Sequence, residues 1–199
     1  MYRRILQLRY RNKRYAILFA VLGLALLFLW LVSVFSPYDY FFSHEKEFEK
    51  LIEQVAQRYS IDPLLLKSVI WRESKFRQNA QGRKGEIGLM QVMPSAAVLD
   101  WADWNRISPP CRGILFNPSV NIDIGAWYLS RALRKWKDYK NCEALALCEY
   151  NAGPGKAKDW APPSLDGDLI SRIGIESTRE YVTAIIRKYC EYAEKRKLF

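Results

Sequence analysis

The sequence predicts a mainly α-helical exported domain carried behind one N-terminal membrane-spanning helix. Three observations lead there. A charge-free apolar run fills residues 16–35, apolar residues recur at helical spacing through most of the chain beyond it, and Asp62-Pro63 and Asn117-Pro118 are helix-start signals.

The apolar run contains Ser33 as its sole hydroxyl and shows no polar face. At about 1.5 Å per residue it can cross a hydrocarbon core of about 30 Å. The chain carries a net charge of +10, and six of those charges (Arg3, Arg4, Arg9, Arg11, Lys13 and Arg14) precede the run without a single acid. A basic flank of this kind stays in the cytoplasm and sends the rest across the membrane. The basic excess therefore reports topology, and a nucleic-acid role loses its main support. The small-residue cleavage rule fails at Ser33-Val34-Phe35, so the run is expected to remain as an uncleaved anchor in the cytoplasmic membrane. The chain then divides into a basic cytoplasmic head (1–15), a transmembrane anchor (16–35), a connector (36–44) and an extracytoplasmic domain (45–199).

Within that domain Phe48, Leu51, Ile52, Val55, Ala56 and Tyr59 mark a first amphipathic helix, broken at Ser60-Ile61. Asp62 as N-cap and Pro63 in the first turn restart the chain. On this second helix Leu66, Ile70 and Glu73 fall at i, i+4 and i+7, which puts a carboxyl group on the apolar stripe. A carboxyl held against apolar neighbours loses hydration and keeps its proton to higher pH, as a general acid must. Spacing alone leaves open a glutamate that swings into solvent. Residues 75–91, with Gly82, Gly85 and Gly88, read as a loop or small hairpin returning toward Glu73.

A helix from Pro94-Ser95 through Trp101 comes next, then a connecting loop over 105–116. Asn117-Pro118 opens a long helix with Ile122, Gly125, Ala126, Leu129, Ala132 and Leu133 on its stripe, where the small residues allow close approach. A short helix over 143–150 stops at Asn151-Ala-Gly-Pro-Gly, 156–176 is mixed, and the last helix covers 178–195 with a solvated basic end.

Cys111, Cys142, Cys148 and Cys190 all fall in the exported part, where disulfides are permitted. Cys142 and Cys148 on one helix are about 9 Å apart along its axis and cannot bond to each other. That leaves Cys111 pairing with either Cys142 or Cys148, Cys142 being favoured, with free thiols as the alternative. The cysteine spacings do not suit zinc and the single histidine, His44, is distant in sequence, so no metal or cofactor is expected.

Five blocks stand in order: Glu73-Ser74; Gly88-Leu89-Met90-Gln91 with Met93-Pro94; Asn117-Pro118 with Asn121-Ile122 and Gly125; Tyr150-Asn151-Ala152-Gly153; and Thr178-Arg179-Glu180-Tyr181-Val182. Together they resemble the catalytic domain of the soluble-lytic-transglycosylase family, over about residues 50–190. The resemblance implies a lysozyme-like helical domain of the goose-type or lytic-transglycosylase kind acting on peptidoglycan. It implies Glu73 as the catalytic acid, with Ser74, Gln91, Met93, Tyr150 and Tyr181 as substrate-binding residues, and Asn121 and Asn151 as structural ones. It also implies a cut between N-acetylmuramic acid and N-acetylglucosamine that leaves a 1,6-anhydro end. Glu86 and Glu149 stand where Ala is common in that family, and Gly82 where a loop serine is often found. Either extra carboxylate could activate water, which keeps a hydrolytic muramidase as the alternative. A non-catalytic wall-binding protein on the same fold is the third reading.

Overall fold

The computed structural model describes residues 19–30 and 44–197, which fall into two units, Met1–Ser43 and His44–Phe199. In the first unit residues 19–30 are helical, and their large apolar side chains, among them Phe19, Leu24, Phe28 and Trp30, are exposed. Among the described residues no helix is long and apolar enough to cross a membrane. The remainder of the expected span 16–35, the basic head and most of the connector lie outside the described residues.

The second unit is helical, and its elements arise from local signals. Helix α1 (Glu49–Tyr59) buries Ile52, Val55 and Ala56, and ends where Ser60 turns left-handed and returns its N–H to the carbonyls of Ala56 and Gln57. Asp62 then caps α2 (Pro63–Ser74) by accepting a hydrogen bond from the Leu64 N–H at 2.8 Å. Helix α2 ends abruptly, because Lys75 and Phe76 both take positive φ (53° and 57°). Two successive left-handed non-glycine residues are costly. Complete burial of the Phe76 ring offsets that strain.

The segment after α2 is the expected small hairpin, reduced to two antiparallel bridges, Gln81 with Ile87 and Ile87 with Val92. Gly88 takes φ +79° and leaves no room for a side chain, because the Asn121 amide occupies that space. Helix α3 (Ala97–Asn105) starts later and runs further than its sequence pattern suggests. Asn117 accepts from the N–H groups of Ser119 and Val120 and opens α4 (Pro118–Lys135). Next come α5 (Cys142–Ala152), a short α6 (Pro154–Trp160) that begins within the expected helix stop and runs into the stretch expected to be mixed, and α7 (Glu176–Lys197). Pro154 at the first turn of α6 is the start signal that the Gly-Pro-Gly punctuation concealed.

Helix α4 is the axis of the core, packing against α1, α3 and α5, while α2 and α5 both lie on α7. The Asp123 carboxylate on α4 accepts from Arg58 and Tyr59 of α1 and from the Trp101 indole of α3, tying three helices together. The Cys111–Cys142 pairing is not formed, and all four cysteines are free thiols. Cys111 lies exposed on the loop before α4, whereas the half-buried Cys142 directs its sulfur to the Leu133 carbonyl.

Candidate active site

Glu73 sits on the last turn of α2, at its contact with α7. The α2–α7 packing brings the Tyr181 hydroxyl to Glu73 Oε1, to which it donates at 2.5 Å. Glu73 keeps some accessible surface although its carboxyl group lies deep in the protein mass. Burial pushes its pKa up to about 7. The Tyr181 hydrogen bond and the Arg72 charge pull in the opposite direction, and the Glu86 charge adds to the rise. Desolvation wins because charge is poorly hydrated there, and one neutral donor replaces only part of that hydration. The group is thus a reachable acid that still holds its proton near neutral pH.

The segment Gly88–Met93 is held against α4 from beneath. Asn121, fully buried, accepts from the Met90 N–H and donates to the carbonyls of Ile87 and Leu115, each at 2.8 Å. Met90 packs onto Gly125, where a Cβ would meet the Met90 sulfur at 2.6 Å. The small residue on the α4 stripe therefore serves close approach by this loop. From the other side the Tyr150 hydroxyl of α5 donates to the Met90 carbonyl at 2.8 Å. Tyr150 is also near enough to Glu73 that the carboxylate charge adds to burial in raising the phenol well above its usual range.

Gln91 adopts φ 47° and folds its amide back on the loop, donating to the carbonyls of Gly88 (2.9 Å) and Ala80 (3.3 Å). Gln91 and Met93 stay half-buried and retain accessible surface. Two of the residues expected to touch substrate do not face outward. Ser74 is buried and donates its hydroxyl to the Ile70 carbonyl one turn back, so it closes the helix end. Tyr181 is 3% exposed and meets the site through Glu73. Asn151, expected to be structural, accepts from the Thr178 hydroxyl and locks α5 to α7.

The three departures from the family pattern separate into one solitary and one coupled change. Glu149 accepts from Lys135 at 2.7 Å and from the Trp136 indole at 2.9 Å, which makes it an internal ion-pair partner. Glu86 instead lies in the loop after α2, where its charge reaches Glu73, its Oε2 accepting the Lys84 N–H at 2.9 Å. A Cβ on Gly82 would collide with that carboxylate and come within 2.9 Å of Gln91 Oε1. Gly82 and Glu86 are therefore one physical substitution, in which the missing side chain makes room for the charge. In sequence the two look independent, because the pairing exists only once the hairpin closes.

Tyr128 is a site residue that the sequence pattern does not single out. It lies one turn after Gly125 on α4, half-buried, with its ring edge-on to Tyr150 at 5.8 Å. Its i+3 spacing from Gly125 is the one signal that could have found it.

The model of the transglycosylase SLT domain matches residues 50–165 of the chain. Membrane-bound lytic murein transglycosylase E of Buchnera aphidicola is 33% identical over 101 residues, covering 50% of this chain and 46% of that protein. Membrane-bound lytic murein transglycosylase C of Actinobacillus pleuropneumoniae is 38% identical over 86 residues, covering 43% of this chain and 24% of that protein. The chain thus spans less than half the length of these curated relatives. Among solved structures, the lytic transglycosylase Slt of Pseudomonas aeruginosa, determined as an inactive Glu-to-Gln mutant, superposes with a TM-score of 0.65. It is 27% identical, over 74% of this chain and 24% of that one.

Proposed function

Because the chain belongs to the transglycosylase SLT domain family, we propose that it is a membrane-anchored lytic transglycosylase. Its substrate is peptidoglycan and its product carries a 1,6-anhydromuramyl end. The observation that carries this reading is the Glu73 carboxyl, reachable on one side and raised to about 7 by burial.

In the proposed reaction protonated Glu73 donates to the oxygen of the glycosidic bond between N-acetylmuramic acid and N-acetylglucosamine. The acetamido group of the muramyl sugar stabilises the positive centre at C1, as in substrate-assisted glycosidases. Glu73, now a carboxylate, accepts the proton of the C6 hydroxyl of that sugar. The C6 oxygen closes on C1, so no water is consumed and the proton returns to Glu73. Tyr181 steadies the carboxylate between the two steps by donating to Oε1. One group serves as acid and then base, and a pKa near the working pH suits both tasks. Gln91 and Met93 form the facing wall, held by the Asn121 and Tyr150 bonds to Met90.

Glu86 favours a second reading. Its charge lies near enough to act on Glu73, and a carboxylate beside the acid could activate water and give a hydrolytic muramidase. In this reading the charge-free apolar run 16–35 is the tether, and it confines action to glycan close to the cytoplasmic membrane, on its outer side.

The test is release of soluble muropeptides from purified sacculi by membranes carrying the full chain. Activity should stay with the membrane fraction. It should hold below pH 7 and decline as the pH rises through about 7, because Glu73 then loses the proton it must donate. Activity that climbs steadily to pH 9 would rule out Glu73 as the acid.

A further inference from the structure

Two acceptor groups meet on the hairpin with no donor shared between them. A Cβ on Gly82 would lie 2.1 Å from Glu86 Oε2 and 2.9 Å from Gln91 Oε1, so the two oxygens stand within about 5 Å of each other. Gln91 donates through Nε2 to the carbonyls of Gly88 and Ala80, which leaves its oxygen for the Gly82 side. Among the described residues that oxygen accepts no hydrogen bond, and Glu86 accepts one, from the Lys84 N–H. Arg83 and Lys84 precede Glu86 in sequence and Arg112 reaches the same hairpin, yet none of them forms an ion pair with it. Arg112 donates instead to Gln81 Oε1 at 3.2 Å and to the Gly85 carbonyl at 3.5 Å. Glu86 and Gln91 are both half-buried and keep accessible surface. A partly desolvated carboxylate next to a second acceptor is unfavourable until a donor stands between them.

We propose that Glu86 and Gln91 are a specificity pair, and that the group they select is the free amine of a glucosamine lacking its acetyl group. A serine at position 82, often found there in the family, could both donate and accept. The pair that stands in its place can only accept. The acetyl carbonyl and the ring oxygens of a glycan are acceptors too and are repelled. A hydroxyl or an amide N–H offers one neutral donor. An ammonium offers up to three donors and the opposite charge that Glu86 lacks, which makes it the strongest match. The muramyl sugar must keep its acetamido group for the step at C1, so the free amine belongs to the glucosamine of the strand. Gln91 lies on the wall facing Glu73 and the Glu86 charge reaches Glu73, so the selection acts at the cut.

The inference rests on the glycan substrate proposed above, and its test separates the two. The full chain carrying Glu73→Gln is titrated with peptide-free glycan strands, either fully acetylated or with the glucosamine amines exposed. The amine strand should bind about tenfold more tightly, the gain from one charge-assisted hydrogen bond. Raising the salt should shrink that ratio. Adding Glu86→Gln should bring the ratio to about one, although the amide still accepts the Lys84 N–H and keeps the turn. Gly82→Ser, which fills the space the carboxylate occupies, should lower the ratio as well. A merely structural role for Glu86 would weaken both strands alike and leave the ratio where it was. In the active protein kcat/KM should show the same preference. Equal handling of the two strands by the wild type overturns the pair even if cutting is observed. A Glu86-dependent amine preference without any cutting sustains the pair and defeats the proposed activity. A Glu86→Gln variant that binds both strands as the wild type does but cuts neither assigns Glu86 a chemical step and also overturns the proposal.

Discussion

Glu73→Gln should lower muropeptide release by about a thousandfold while making the folded protein more stable above neutral pH. The first effect is the loss of general acid–base catalysis, which is worth about 10²–10⁴ in rate. The amide still accepts the Tyr181 hydrogen bond and keeps the shape of the site, so the loss is one of chemistry. The second effect comes from the same burial. The folded-state pKa of about 7 lies above the ordinary value of 4.5. Between these values the unfolded chain has released the proton that the folded chain retains. Folding stability contributed by this group is therefore intact below pH 4.5 and falls as the pH rises toward 7. Above pH 7 the buried carboxylate is a net cost of up to about 3 kcal/mol. Glutamine carries no such penalty. Thermal melts of wild type and variant should coincide near pH 4 and diverge by pH 8, with the variant melting higher. A variant that melts lower at pH 8 would mean Glu73 is ionised and paired in the folded state.

Asn121→Ala should cost about 3–5 kcal/mol. It removes one acceptor and two donated bonds from a fully buried position, stranding the Met90 N–H and the carbonyls of Ile87 and Leu115. Unpaired backbone groups of this kind are among the few single-site changes with effects above the usual range. The loop it holds carries Gln91 and Met93, so the melting point and the cutting rate should drop together. Amide exchange at Met90 should accelerate most. A melting point within a degree of wild type would show that the loop is held by packing alone.

The helices were legible where the chain carries explicit start and stop chemistry. Asp62-Pro63 and Asn117-Pro118 cap α2 and α4 as their sequence implies, because a side chain accepting from the first turn is a local event. Helix α6 was not legible, since Gly153-Pro154-Gly155 reads as a turn until Pro154 is seen as a first-turn residue. Glu73 could be placed on an apolar stripe from spacing, but its partner Tyr181 is 108 residues away and depends on α2 meeting α7. Ser74 and Tyr181 carried motif positions that suggested substrate contact, and burial redirected both. Motif order identifies which residues matter. Only packing decides whether a side chain faces the ligand or the residue that does.

Gly82 and Glu86 repeat that lesson at the hairpin. Each looked like an isolated departure, and both belong to one loop geometry, in which Gly82 makes room for a carboxylate whose charge reaches the acid. Whether that carboxylate activates water decides between the two proposed chemistries.

The mass of the new glycan ends tests this most directly. Purified sacculi digested with the full-length wild type should yield muropeptides ending in 1,6-anhydro sugars, each lighter than the hydrolysed form by one water, and Glu73→Gln should yield neither. Ends carrying the added water would contradict a single glutamate acting as acid and then base, and would assign the second step to water.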